Sequence, residues 1–191
     1  MNHFYQNIEG FFNESHIQLF NTILNKAPNS GTWVEVGSFI GKSIAYIYCE
    51  SLQRNKNYEF HTIDPFLSHP ETESFYKQFK IDGNSLYEEF LKNIEPIKNK
   101  INFYRDTSVE VSKKFKDESV DVIYIDGAHD YESVQADIRS WYPKMKKNSI
   151  IAFDDYLSPH AGLKFAVDEF VSKEKLQLHP FGWTVYAEIK K

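Results

Sequence analysis

Five short segments of this chain place carboxylates, hydroxyls and glycines directly after apolar runs. They are Glu35-Val36-Gly37-Ser38-Phe39-Ile40-Gly41-Lys42-Ser43, Asp64 before Pro65, Asp106-Thr107-Ser108, Asp126-Gly127-Ala128-His129-Asp130-Tyr131, and Asp154-Asp155-Tyr156. In the first, glycines let backbone approach a ligand closely, and a helix opening there offers free N–H groups to a carboxylate or phosphate. Its spacing, Gly37 to Gly41, lacks the central glycine of the dinucleotide fingerprint, which disfavours a nicotinamide dehydrogenase. A glycine turn needed only for packing is the competing reading. Asp64 follows the turn at the distance where an acid can bond both ribose hydroxyls; otherwise it is a solvated turn residue. Asp106, Thr107 and Ser108 can meet a nucleobase edge or cap the next helix. Asp126, Asp154 and Asp155 offer hard oxygen ligands suited to Mg²⁺, which can make a bound hydroxyl easier to deprotonate. The competing reading has one of the paired acids capping the segment that follows. His129 is a candidate general base, because an imidazole titrates near neutrality, or it ties down its own loop. His160 is a second candidate for base or extra ligand.

Positioning these groups requires strands that end together. Ile17, Phe20 and Leu24 recur at helical spacing and predict a helix over 13–26, with Asn13 or Ser15 as cap. Strands are expected over 32–36, 58–63, 101–104, 120–125 and 149–153, and helices over 42–52, 109–115, 131–145 and 161–173. This alternation predicts an α/β, doubly wound parallel sheet with helices on both faces, which binds ligands beyond the carboxyl ends of its strands. The final LQLHPFGWTVYAEIKK reads instead as an antiparallel hairpin turning at residues 180–182. Residues 66–97 are too long for an ordinary connection and are expected to form a lid-like insertion with a helix near 86–94. His69, Phe75, Tyr76, Phe79, Tyr156 and Trp183 are candidates for an acceptor pocket, although core packing explains most of them equally well.

A length of 191 residues fits a single domain, here 1–191 with a helical segment over 1–30. The net charge of -5 gives no general footprint for nucleic acid, so a small-molecule or glycan partner is expected. The one cysteine, Cys49, lies in an apolar helical stretch and reads as a small hydrophobe. No run is long enough to span a bilayer, and the opening MNHFYQNIEGFF lacks a secretory pattern, so the expectation is a cytoplasmic protein without membrane partners. Homo-oligomerisation is compatible with the sequence and not specified by it.

The combination VEVGSFIGKS, TIDPF, DVIYIDGAHDYESVQADI and IIAFDDY resembles the class I S-adenosylmethionine-dependent methyltransferases, in particular the small-molecule and sugar O-methyltransferase branch, from about residue 13 onward. The resemblance implies a Rossmann-like sheet of order 3-2-1-4-5-7-6 with strand seven reversed. It also implies that Glu35, Gly37, Ser38, Gly41 and Ser43 border the methionine part of the cofactor, Asp64 the ribose and Ser108 the adenine. Asp126 would serve both cofactor and metal, with Asp154 and Asp155 completing the Mg²⁺ ligands. Some relatives carry an aspartate base two residues after the first metal ligand; Ala128 stands there, and His129 is the replacement. The expected activity is methyl transfer to a hydroxyl of a small molecule or sugar, assisted by Mg²⁺. The alternatives are a metal-independent enzyme using His129, or a catalytically silent cofactor-binding or interaction domain.

Overall fold

The computed structural model describes residues 3–67, 73, 76, 77 and 83–190. Its strands are β1 (Ser30–Val36), β2 (Asn57–Ile63), β3 (Asn102–Tyr104), β4 (Val120–Ile125), β5 (Met145–Phe153), β6 (His179–Phe181) and β7 (Thr184–Glu188). They form one sheet in the order β3-β2-β1-β4-β5-β7-β6. Strands β1 to β5 pair in parallel, whereas β7 runs antiparallel to both β5 and β6. The expected strand order and reversed strand are therefore observed.

Alternate residues along each strand enter two different cores, as the period of two in a pleated strand requires. Trp33, Phe60, Val122, Tyr124, Ile150, Ala152 and Tyr186 join α1 (Glu14–Lys26), α2 (Lys42–Gln53) and α3 (Gly83–Asn93) on one face. Val34, Val36, Ile123, Ile125, Ile151, Phe153 and Val185 join α4 (Ser108–Ser112), α5 (Tyr131–Trp141) and α6 (Ala161–Glu174) on the other. Every residue of β4 is buried, as befits a central parallel strand covered on both sides. No helix among the described residues is long and apolar enough to cross a membrane.

Four boundaries differ from the sequence reading. The helix expected over 131–145 stops at Trp141, and a 3-10 turn over Tyr142–Lys144 follows. Pro143 in that turn has no N–H to continue the helical bonds. Met145 consequently begins β5, which is longer than expected and slips register between Val120 and Val122 of its neighbour. The terminal hairpin turns at Gly182 and Trp183, while Pro180 lies inside β6 at the sheet edge, where its missing donor costs no ladder bond. Helix α4 spans only Ser108–Ser112 before breaking into turns.

Within the insertion, α3 is present, with Leu86, Phe90, Ile94 and Ile97 buried against the α1 and α2 side. Its far end is tied to the β1–α2 loop, since Asn93 Nδ2 donates to the Ile40 carbonyl at 3.0 Å. His69, Phe75 and Phe79 lie outside the described residues.

Candidate active site

The β1–α2 loop is built by two left-handed glycines. Gly37 has φ of 91°, and a Cβ there would sit 1.8 Å from the Asp126 carbonyl oxygen, so only glycine lets the ends of β1 and β4 come this close. Gly41, with φ of 86°, is the N-cap of α2 and faces Ile94 and Phe90 of the insertion. Between them Ser38 and Phe39 aim their N–H groups at Asp64 Oδ2, at 3.0 and 2.9 Å. Asp64 Oδ1 accepts a third backbone bond from Phe66, at 2.6 Å. Two carboxylate oxygens offer about four acceptor positions, and bonds from the described residues fill three of them. Burial raises the Asp64 pKa, and the three backbone bonds oppose that rise.

Side chains behind this loop close a second circuit. Ser43 Oγ donates to Glu35 Oε1 at 2.5 Å, Thr62 Oγ1 bonds Glu35 Oε2, and Ser38 Oγ meets Thr62 Oγ1 at 2.6 Å. Glu35 is almost fully buried, and desolvation pushes its pKa up to about 7, against the two hydroxyl bonds and with the help of the Asp64 charge. Glu35, Ser38, Ser43 and Asp64 are thus brought into one network, to which the sequence reading had not assigned Thr62. Ser108 is placed elsewhere: its Oγ accepts from Trp141 Nε1 at 2.7 Å and it also bonds Asp137. Thr107 is the residue that caps α4, by accepting from the Glu110 N–H at 3.3 Å.

The ends of β4 and β5 carry a different kind of cluster. Asp126, Asp154 and Asp155 each offer a carboxylate oxygen within 4.8 Å of the others. Asp126 is held well above the usual carboxylate range by desolvation, then by the charges of Asp154, Asp155, Glu35 and Asp64. Asp155 is raised by burial and by Asp154, while His129, His160 and His16 pull it back down. The buried Tyr124 hydroxyl on β4 is raised for the same reasons, burial first and then Asp154 and Asp126. Three acids that repel one another this closely form a donor set matched to a hard cation, whose charge would reverse the sign of the local field.

His129 Nε2 stands 3.4 Å from Asp155 Oδ2, and the His129 and His160 rings are 4.3 Å apart between centroids. A further imidazole arrives from far along the chain. His16 Nε2, on α1, lies 3.0 Å from Asp154 Oδ2. Its Nδ1 faces both the Asn13 N–H and Asn13 Oδ1, each at 3.1 Å. When neutral, the ring accepts from that N–H at Nδ1; when charged, it donates to Oδ1. In both states Nε2 carries a proton and donates to Asp154. The sequence offers His16 only as a polar residue in the first turn of a helix, so this contact across 138 positions had no local signal.

Of the ring-bearing residues considered for a pocket, the three that are described, Tyr76, Tyr156 and Trp183, are not gathered into one wall. Tyr76 is buried near Phe39, the Tyr156 hydroxyl donates to Asp168 of α6 at 2.5 Å, and Trp183 lies 59% exposed in the hairpin turn. A shallow groove lined by Tyr131, Gly162, Phe165, Asp168 and Glu169 lies outside this constellation.

Comparison with known proteins agrees with this geometry. A family model described as a methyltransferase domain matches residues 34–156, from β1 through Asp154, Asp155 and Tyr156. Two curated relatives are themselves uncharacterized. Protein R132 of Acanthamoeba polyphaga mimivirus is 28% identical over 65% of this chain and 51% of its own length. Protein y4gI of Sinorhizobium fredii is 30% identical over 38% of this chain and 8% of its own length. The chain thus spans about half of one and a small part of the other.

Among solved structures, the O-methyltransferase NovP superposes with a TM-score of 0.64 at 18% identity, covering 93% of this chain and 80% of its own. The TDP-rhamnose 3'-O-methyltransferase CalS11 gives 0.61 at 16%, over 91% and 76%. The S-adenosylhomocysteine-bound methyltransferase PaMTH1 of Podospora anserina gives 0.57 at 14%, over 98% and 92%. The match through both strand-end clusters, on a sheet of this order, makes the chain a member of the class I S-adenosylmethionine-dependent methyltransferase family.

Proposed function

We propose that this protein transfers the methyl group of S-adenosylmethionine to a hydroxyl of a small molecule or sugar, with a divalent cation held by Asp126, Asp154 and Asp155. The convergence of these carboxylates within 4.8 Å, one strand away from the glycine loop, carries the reading. In support, NovP and CalS11 are O-methyltransferases, and PaMTH1 was solved with S-adenosylhomocysteine bound.

The glycine loop and the ends of β1 and β2 would hold the cofactor. Gly37 and Gly41 keep the loop free of side-chain bulk, and Glu35, Asp64 and Asp126 give it an acidic lining that matches a sulfonium charge. A cation on the three acids would supply Lewis acidity to an acceptor hydroxyl. His129 takes the hydroxyl proton, and Asp155, 3.4 Å from its ring, offsets the charge the ring then gains. The O–C bond forms as the sulfonium C–S bond breaks, so the remaining work of the protein is to align acceptor and donor. Ser108, through its ties to Trp141 and Asp137, would set the floor under the adenine.

The His129–Asp155 pair also supports a second reading, in which an imidazole oriented by a carboxylate removes the proton with no cation present. Thermal unfolding with S-adenosylhomocysteine, with and without Mg²⁺ or a chelator, separates these. A ligand at about 100 times its Kd adds roughly 2.7 kcal/mol. Stabilisation by S-adenosylhomocysteine with a further Mg²⁺ shift supports the cation-assisted enzyme. Stabilisation indifferent to Mg²⁺ and chelator moves the assignment to the His129 reading, and no shift with S-adenosylhomocysteine rejects both. A panel of catechols and nucleotide sugars, followed by release of S-adenosylhomocysteine, then tests the acceptor class; cofactor binding without turnover on any of them would indicate a silent domain.

A further inference from the structure

We propose that His129, Asp155 and His160 form a second cation site, which takes a borderline transition ion of the Zn²⁺, Co²⁺ and Ni²⁺ type and shares Asp155 with the three-carboxylate set. One ligand atom from each of the three residues lies within 4.8 Å of the other two. All three are partly buried, and the two rings are tilted by 32° at 4.3 Å between centroids. Their donors are two imidazole nitrogens and one carboxylate oxygen. Imidazole suits Zn²⁺, Co²⁺ and Ni²⁺, whereas Mg²⁺ prefers oxygen ligands and keeps its water. The two overlapping donor sets therefore differ in the ions they select: beside the shared Asp155, one adds two carboxylate oxygens and the other two imidazole nitrogens.

The fold holds these ligands together from two loops, the one after β4 and the one between β5 and α6. His129 follows β4, Asp155 follows β5 in a left-handed conformation with φ of 51°, and His160 is the residue before α6. Gly162 makes the meeting of the two histidines sterically allowed. A Cβ on it would stand 2.7 Å from the Tyr131 nitrogen and 3.1 Å from the His129 carbonyl oxygen, so a side chain would push the first turn of α6 off the His129 loop. The Asp155 carbonyl accepts from both the N–H and the Oγ of Ser158, at 3.0 and 2.6 Å, which folds the loop back toward His160. Closing the set onto an ion with bonds of about 2.0 to 2.2 Å requires side-chain rotation rather than a change of fold.

An ion here occupies the His129 lone pair that proton removal needs, so occupancy of this site and His129 acting as base exclude one another; the test reads metal binding rather than turnover, and its outcome does not depend on the methyltransferase reading. An untagged chain is titrated with Co²⁺ in saturating Mg²⁺, with visible absorption reporting nitrogen coordination and Zn²⁺ added as competitor. The expected result is one Co²⁺ per chain, displaced by Zn²⁺ and not by Mg²⁺. Affinity should fall at least about tenfold in His160→Asn. It should be retained in His160→Cys, which keeps a ligand for these ions, and in Asp126→Asn, which damages only the oxygen set. Thermal unfolding of each variant shows that it is folded. The proposal is overturned if Co²⁺ is displaced by Mg²⁺, if its affinity is the same in folded His160→Asn, or if Asp126→Asn abolishes it.

Discussion

The two halves of the sheet's carboxyl edge use acidic residues in opposite ways. At β1 and β2, Glu35 and Asp64 are enclosed by donors from the protein itself: two hydroxyls for Glu35, three backbone N–H groups for Asp64. At β4 and β5, Asp126, Asp154 and Asp155 face one another, and the donors near them are imidazoles. The first arrangement is largely satisfied before any ligand arrives, so it fixes a backbone shape. The second has like charges at close range, which is costly in a partly buried site unless a proton or a cation relieves it. A pre-shaped cradle thus stands beside a cluster that an ion would complete.

The most disruptive way to break this contrast is to separate the halves. Gly37→Ala places a Cβ 1.8 Å from the Asp126 carbonyl in a left-handed conformation, and a loss of more than about 3 kcal/mol in urea unfolding is expected. A loss below 1 kcal/mol, roughly the cost of an ordinary surface change, would show that the close approach is not required. Next, Asp154→Ala should remove the Mg²⁺-dependent thermal shift and leave the S-adenosylhomocysteine shift in place. Loss of both in a folded variant would mean that the halves are not independent sites.

His16→Phe tests the long-range support of Asp154. Metal affinity should weaken about tenfold, the usual scale for a group that orients a ligand. Isothermal titration with Mn²⁺ would measure it, and an unchanged affinity would reduce His16 to a helix-capping role. The smallest effect should come from Glu35→Gln. Burial holds the folded carboxyl at about 7 against its ordinary value of 4.5, so the protonated form is favoured on folding. Its stabilising contribution is complete below 4.5 and is lost as pH rises through about 7. In the variant, the pH dependence of stability between those limits should flatten; an unaltered slope would mean that the slope comes from Asp126 or Asp64.

Much of this layout was legible because local chemistry dictated it. β4 was readable from its β-branched and aromatic run, and α1 from Asn13 at its cap and apolar residues at helical spacing. The acid pair after β5 and the Asp126 segment after β4 were recognisable as strand ends. The end of α5 was misplaced because its apolar pattern continued past Pro143, whose lost N–H outweighed that pattern. Ser108 was a candidate nucleobase contact from its position after β3 and from the resemblance, but the bond from Trp141, a partner 33 residues away, had no local signal.

The sequence by itself determined the alternation of strands and helices, the glycines that permit the sharp turn after β1, and which acids stand at strand ends. These depend on the spacing and backbone preferences of neighbouring residues, which are written locally. Only the tertiary structure decided that Asp64 spends three acceptor positions on backbone, that His16 reaches Asp154, and that Asp155 stands between two other carboxylates and two imidazoles. Those relations join loops that are far apart in sequence, and they arise when parallel strands bring their ends to one edge.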